Sequence, residues 1–170
     1  MGIASLSHLA QAKRIVIKVG SALLIERGQA RAEWLATLVE EIAGLAKNGT
    51  QVIVVSSGAI ALGAAKLALP KGGRASLADA QAAASVGQVE LARLWSERLA
   101  DHGLTAAQML VTLDDLEDRR RYLNASATLE RLIEAGAIPV INENDSVATE
   151  EIRFGDNDRL SARVAQAAQA

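Results

Sequence analysis

The sequence predicts an α/β fold, a three-layer sandwich around a mainly parallel sheet. Three observations predict it. Short β-branched runs alternate along the chain with segments of helical periodicity. The runs are apolar with little alternation, the pattern of strands buried on both faces. Half of the 170 residues are apolar and 22% are charged, which furnishes a core and a solvated surface for one domain.

Residues 1–12 read as a surface lead-in. They contain no basic stretch followed by a long apolar one, so they do not read as a signal peptide. Met1-Gly2 opens like a myristoylation signal, but Leu6 stands where Ser or Thr is needed. The first strand is expected at Arg14–Val19. A helix follows, with Trp34, Leu35, Leu38, Val39, Ile42 and Leu45 at three-to-four spacing and Asn48-Gly49 as its stop. Gln51–Val55 is the next strand. Ser56-Ser57-Gly58 turns from it into a helix, and Lys71–Arg74 reads as the most flexible loop. Ser76, with Asp79 three residues on, caps a long Ala-rich helix running to about Asp101, with a possible disturbance at Gly87. A weaker strand spans Ala107–Val111. Tyr122–Ala135 is helical and closed by Gly136, Ile138–Ile141 is a strand, and the last helix runs from Asn157 to the end.

Composition excludes several classes of function. A net charge of -2 gives no basic footprint for nucleic acid. Trp34, Trp95, Tyr122 and Phe154 are too few for a base-stacking platform. The absence of cysteine removes disulfides, thiolate nucleophiles and thiolate-ligated zinc, and suits a reducing, cytoplasmic setting. His8 and His102 cannot form a His-rich metal site, and no metal ligands are assigned. The longest strongly apolar run, Val52–Val55, is far too short to span a bilayer.

Right-handed crossovers put the carboxyl ends of parallel strands on one edge, where open α/β sheets bind ligands. The residues just after each strand therefore carry the chemistry. Lys18-Val19-Gly20-Ser21 offers a point charge and a glycine turn suited to phosphate, although a strand-ending lysine and an ordinary turn glycine account for the same residues. Ser56-Ser57-Gly58 offers two hydroxyls and a glycine, or simply a helix cap with a packing glycine. Gly58 and Gly63 have P-loop spacing, but Ala64-Ala65 stand where Lys-Ser/Thr belongs. Asn142-Glu143-Asn144-Asp145-Ser146 leaves a buried strand with several polar residues at once, as loops often do. Gly155-Asp156-Asn157-Asp158 opens the last helix, which is also good capping chemistry. Lysine, glycine and hydroxyls thus share an edge with two acid–amide clusters. That combination suits a site joining a phosphoryl donor to a small zwitterion.

These segments, with Val86-Gly87-Gln88, Met109-Leu110, Asn142–Asp145 and Phe154–Asp158, resemble in order the glutamate 5-kinase branch of the amino acid kinase family. The resemblance runs from Lys13 onward and marks 13–170 as the glutamate-binding, N-terminal portion of a kinase domain. It implies ATP-dependent phosphorylation of the glutamate side-chain carboxylate, the first step of proline biosynthesis, with proline as feedback inhibitor and a homo-oligomeric state. It implies catalytic roles for Lys18 and Asp158, with Asp158 organising lysines. It implies glutamate contacts from Ser57, Gly58, Asp145 and Asn157, with Asn142 and Asp156 lining the same pocket, and nucleotide contacts from Lys18, Gly20 and Ser21. Magnesium would arrive with ATP and keep several waters. The carboxylate nucleophile is ionised at neutral pH, so alignment and charge neutralisation matter more than a general base.

The family's kinase domain continues past the length seen here, with its nucleotide half and a second catalytic lysine. The resemblance therefore implies a truncated domain with little kinase activity alone. The competing expectations are a relative acting on acetylglutamate or aspartate, and a module that only binds an amino acid or only self-associates.

Overall fold

A computed structural model of the chain describes residues 12–147 and 156–170, without the side chains of Asp156 and Asn157. All of the expected surface lead-in except Ala12 lies outside the described residues. The elements run β1 (Arg14–Val19), α1 (Ser21–Leu24), β2 (Ile25–Glu26), β3 (Gln29–Ala30), α2 (Ala32–Lys47), β4 (Gln51–Ser56), α3 (Ala59–Lys66), a 3-10 turn (Pro70–Gly73), α4 (Leu77–Ala100), β5 (Thr105–Val111), α5 (Leu113–Glu117), α6 (Arg119–Glu134), β6 (Ala137–Glu143) and α7 (Asp156–Ala167).

The main sheet has the order β1-β4-β6-β5, and each neighbouring pair is parallel. β2 and β3 form a separate antiparallel hairpin. Its turn, Arg27-Gly28, carries positive φ at both positions (51° and 77°), as a tight hairpin demands.

Side-chain alternation along the central strand builds the three layers. Val52 and Val54 of β4 enter one core with Leu35, Val39 and Ile42 of α2 and Leu91, Trp95 and Leu99 of α4. Ile53 and Val55 enter the opposite core with Leu116 of α5, Leu129 and Ile133 of α6, and Leu160 and Val164 of α7. A strand apolar on both faces is therefore a strand with helices on both faces. Each fully buried Leu, Ile or Val contributes about 1.5–3 kcal/mol relative to exposure. Arg14 at the start of β1 ties the second layer down: it holds Glu130 of α6 at 2.8 and 2.9 Å and donates to the carbonyl of Ala168. The hydrogen bond from Arg14 holds the Glu130 carboxyl below its ordinary range.

The expected cap of α4 forms. Ser76 Oγ accepts from the Asp79 amide at 3.1 Å at the start of α4. Three expectations change. α6 begins at Arg119, a turn earlier than Tyr122, because Asp118 Oδ1 accepts from the Arg121 amide at 2.9 Å and caps it. α4 runs without a break through Gly87. Lys71–Arg74 is no open loop at its centre: Gly73 is buried, and a Cβ there would lie 2.9 Å from the Ala64 Cβ and 3.1 Å from that of Ala83.

The reason for Gly87 lies in its crossing with α3. A Cβ on Gly87 would lie 1.7 Å from the Ala59 carbonyl oxygen, and one on Gly63 would lie 1.8 Å from the Ala83 carbonyl oxygen. The two helices touch backbone to backbone, with Ile60, Ala64, Ala80, Ala83 and Ala84 closing around them. Of the two glycines with P-loop spacing, Gly63 serves this packing, whereas a Cβ on Gly58 would meet Ile25 instead.

Candidate active site

The parallel register brings the strand ends to one edge. Val19 pairs with Ser56, Val55 with Ile141, and Leu110 and Val111 with Asn142 and Glu143. The residues singled out by sequence emerge beside one another along that edge.

At the β1 end, Lys18 Nζ meets Asp158 Oδ1 at 2.7 Å. The pair joins residues far apart in sequence and stays open to solvent, with side chains 37% and 66% exposed. Such a pair adds little stability, so its value is positional: it fixes a cation at the strand edge. Gly20 has ordinary extended backbone (φ −73°), and a Cβ there would approach Lys18 Nζ to 3.5 Å. The missing side chain keeps room beside the amine. Ser21 starts the single turn α1, whose amides at Leu23 and Leu24 bond to the Gly20 carbonyl.

At the β4 end the two serines separate. Ser56 is fully buried, and its Oγ accepts from Trp95 Nε1 at 2.9 Å, so that hydroxyl belongs to the core. Ser57 comes next; its amide bonds to the Val19 carbonyl at 3.0 Å and holds the β1 and β4 ends together. Gly58, not a serine, caps α3. Its φ of 118° is strained for any other residue, and a Cβ would sit 2.9 Å from Ile25 Cγ1.

At the β6 end the polar side chains are buried. Asn142 is 2% exposed and Asp145 is 8% exposed. Asn142 Nδ2 donates to Gln88 Oε1 at 2.9 Å, whereas Asn142 Oδ1 has no hydrogen-bond partner among the described residues. Ser57 and Asp145 both make polar contacts. A cavity of about 290 Å³ opens between α4 and the β5–β6 tails, walled by Gln88, Gln108, Asn144 and Asp145 among others. A second of about 200 Å³ shares Gln88 and Gln108 with it and also borders Trp95 and Asn142. Neither is lined by Lys18, Gly20, Ser57, Gly58 or Asp158. The edge thus holds a charged, open half and an amide-rich, concave half.

The roles expected of Asp156 and Asn157 rest on side chains outside the described residues; both residues lie in the first turn of α7. Sequence reasoning gave no role to Gln88 or Gln108. The available signal was a glutamine within an Ala-rich helix, together with a strand-end asparagine that burial obliges to find a partner. Among the described residues no group of three or more His, Cys, Asp or Glu is placed to hold a metal ion, and no helix is long and apolar enough to cross a membrane.

A parallel α/β sheet with a lysine–aspartate pair and a polar cleft at its carboxyl edge belongs to the class of open-sheet proteins that bind small molecules there. The profile of the amino acid kinase family matches residues 13–170, and the chain belongs to that family. It is 68% identical to a glutamate 5-kinase of Novosphingobium aromaticivorans across 100% of this chain and 46% of that protein. Glutamate 5-kinases of Sphingopyxis alaskensis and Zymomonas mobilis are each 65% identical, over 98% and 92% of this chain and 45% and 40% of their own lengths. The chain spans about half the length of the curated relatives it matches. A solved T. acidophilum isopentenyl phosphate kinase product complex shares the fold, with a TM-score of 0.50 at 16% identity over 74% of this chain and 53% of the other.

Proposed function

We propose that this chain binds glutamate and contributes to its ATP-dependent phosphorylation on the side-chain carboxylate. One observation carries the reading: 68% identity to a glutamate 5-kinase over the chain's whole length. The geometry agrees. Lys18, held by Asp158 at 2.7 Å, is a fixed cation for the phosphates and the transferring group. The room beside Gly20 and Ser21 lets a nucleotide phosphate approach that amine. Ser57, Gly58 and Asp145 address the glutamate, with Asp145 accepting from its ammonium, and Asn142, Asp156 and Asn157 complete that pocket. The nucleophile needs no base, since a carboxylate is ionised at neutral pH; the residues orient it and offset spreading negative charge. Magnesium enters with the nucleotide. Proline inhibition and homo-oligomerisation belong to the same proposal. Because the chain matches about half of its relatives' length, phosphoryl transfer is proposed for the whole catalytic unit and glutamate binding for the chain.

Calorimetric titration of the chain with glutamate tests this. Binding is expected, weakened about tenfold or more by Asp145→Asn, which removes a charge from the ammonium. Aspartate and acetylglutamate are expected to compete poorly. Equal affinity of the Asp145→Asn variant overturns the assignment of that residue. Tighter binding of either competitor overturns the choice of substrate. Glutamyl hydroxamate formation from ATP, glutamate and hydroxylamine reports the transfer step, and Lys18→Met is expected to abolish it.

A further inference from the structure

We propose that Gln88 is a positioning residue that turns the Asn142 carboxamide so that its oxygen, rather than its amino group, faces the substrate ammonium. The inference rests on the glutamate reading above and names the device that orients recognition of the amino end.

A buried carboxamide can be reversed with little change of shape, because oxygen and NH₂ are nearly the same size. Hydrogen bonding must therefore choose the orientation. Asn142 is 2% exposed, and its Nδ2 donates to Gln88 Oε1 at 2.9 Å. With Gln88 presenting its oxygen, that bond commits the Asn142 amino group to α4. The opposite atom, Oδ1, is then a buried acceptor without a donor among the described residues. Buried carbonyl oxygens require donors. An ammonium supplies three donors and no acceptor, whereas a carboxylate supplies none. With Asp145 buried three residues further along, this corner collects acceptors and discriminates in favour of the cationic end of an amino acid. Gln88 borders both cavities, as does Gln108; Asn142 lines the smaller and Asp145 the larger, so Gln88 lies on the wall between the two acceptors.

The backbone keeps Gln88 in place. Its neighbour Gly87 is pressed against α3, where a Cβ would lie 1.7 Å from the Ala59 oxygen and 2.7 Å from the Gly63 nitrogen. α4 cannot sink or ride up at this turn, so the height of Gln88 over the sheet is set by contact between main chains.

The experiment compares Gln88→Met, which removes the acceptor, with Gln88→Glu, which keeps an acceptor-only group facing Asn142. Three readouts are taken on the chain: the thermal transition, glutamate affinity by calorimetry, and the side-chain amide resonances of Asn142 by NMR. Gln88→Met is expected to unfold cooperatively, to lose about tenfold or more in glutamate affinity, and to move the Asn142 resonances. Gln88→Glu is expected to bind within about threefold of the unsubstituted chain. A purely structural role would make the two variants fail together. If Gln88→Met binds glutamate as well as the unsubstituted chain does, the proposal is overturned and the glutamate reading stands. If the unsubstituted chain binds no glutamate, that reading falls, and the Asn142 resonances decide alone: failure to move in Gln88→Met overturns the pairing. Should Gln88→Met not fold, a tenfold loss in Gln88→Glu overturns the proposal.

Discussion

The two halves of the sheet edge solve different problems with different chemistry. At the β1 end, charges meet in solvent: Lys18 and Asp158 form a 2.7 Å pair with side chains 37% and 66% exposed. At the β6 end, neutral amides meet: Asn142, 2% exposed, bonds the half-buried Gln88 at 2.9 Å. A cation pinned by an exposed carboxylate stays hydrated and can offset negative charge brought to it. A shift of the buried Asn142 carboxamide would break its one side-chain hydrogen bond, so the pair favours one geometry. The open half suits charge neutralisation, and the closed half suits discrimination.

Four substitutions or conditions break or sharpen that contrast, in falling order of effect. Gly87→Ala drives a Cβ into the Ala59 carbonyl and is expected to cost about 3 kcal/mol or more, measured by chemical denaturation. It unseats the amide half and leaves Lys18 and Asp158 their own supports. Ser56→Ala strands the indole N–H of Trp95, which is fully buried, at an expected cost of about 2 kcal/mol by the same method. The third test concerns the outer face of the same helix pair, where Glu90 of α4 bonds Arg93 at 2.6 Å and Lys66 of α3 at 3.1 Å. The hydrogen bonds from Arg93 and then Lys66 hold the Glu90 carboxyl down to about 2 from an ordinary value of 4.5. Its folded pKa lies below its unfolded one, so this stabilisation is complete above about pH 4.5 and fades as pH falls toward 2. Glu90→Gln should therefore flatten the acid limb of the stability curve by less than about 1 kcal/mol. Last, Asp158→Asn breaks the open pair and is expected to change stability by no more than about 0.5 kcal/mol. A loss as large as that of Ser56→Ala would show that the charged half is a structural element after all.

The contrast also marks what the sequence could disclose. The strands were legible because an apolar β-branched run buried on both faces reads the same in one dimension as in three. The long helix was legible from Ser76 and its apolar repeat. The short elements were not: α1 has four residues and β2 and β3 two each, too few for a period to show. Asp118 as the cap of α6 was hidden among charged neighbours. The two serines after β4 looked alike in sequence, and only the indole of Trp95, 39 residues away, claims one of them. The reading of Gly87 as a possible helix fault had local logic, since glycine weakens a helix interior. Its actual role depends on Ala59 and Gly63, which sequence spacing does not place beside it. In the site, residue types at strand ends were legible, and the side-chain pairing of Gln88 with Asn142 was not. Such pairing is a property of two elements meeting, and it cannot be read from either alone.

The glycine crossing has a mechanical consequence. Side chains between two helices act as a compliant layer, since rotamers can adjust when one helix shifts. Here that layer is missing at Gly63 and Gly87, and main chain bears on main chain. α3 is capped at Gly58, beside Ser57, and α4 carries Gln88 next to the crossing. Close main-chain contact at Gly63 and Gly87 leaves no rotamer there to absorb a shift of one helix against the other, so the spacing between the β4 turn and the amide pair is set by backbone alone at that point.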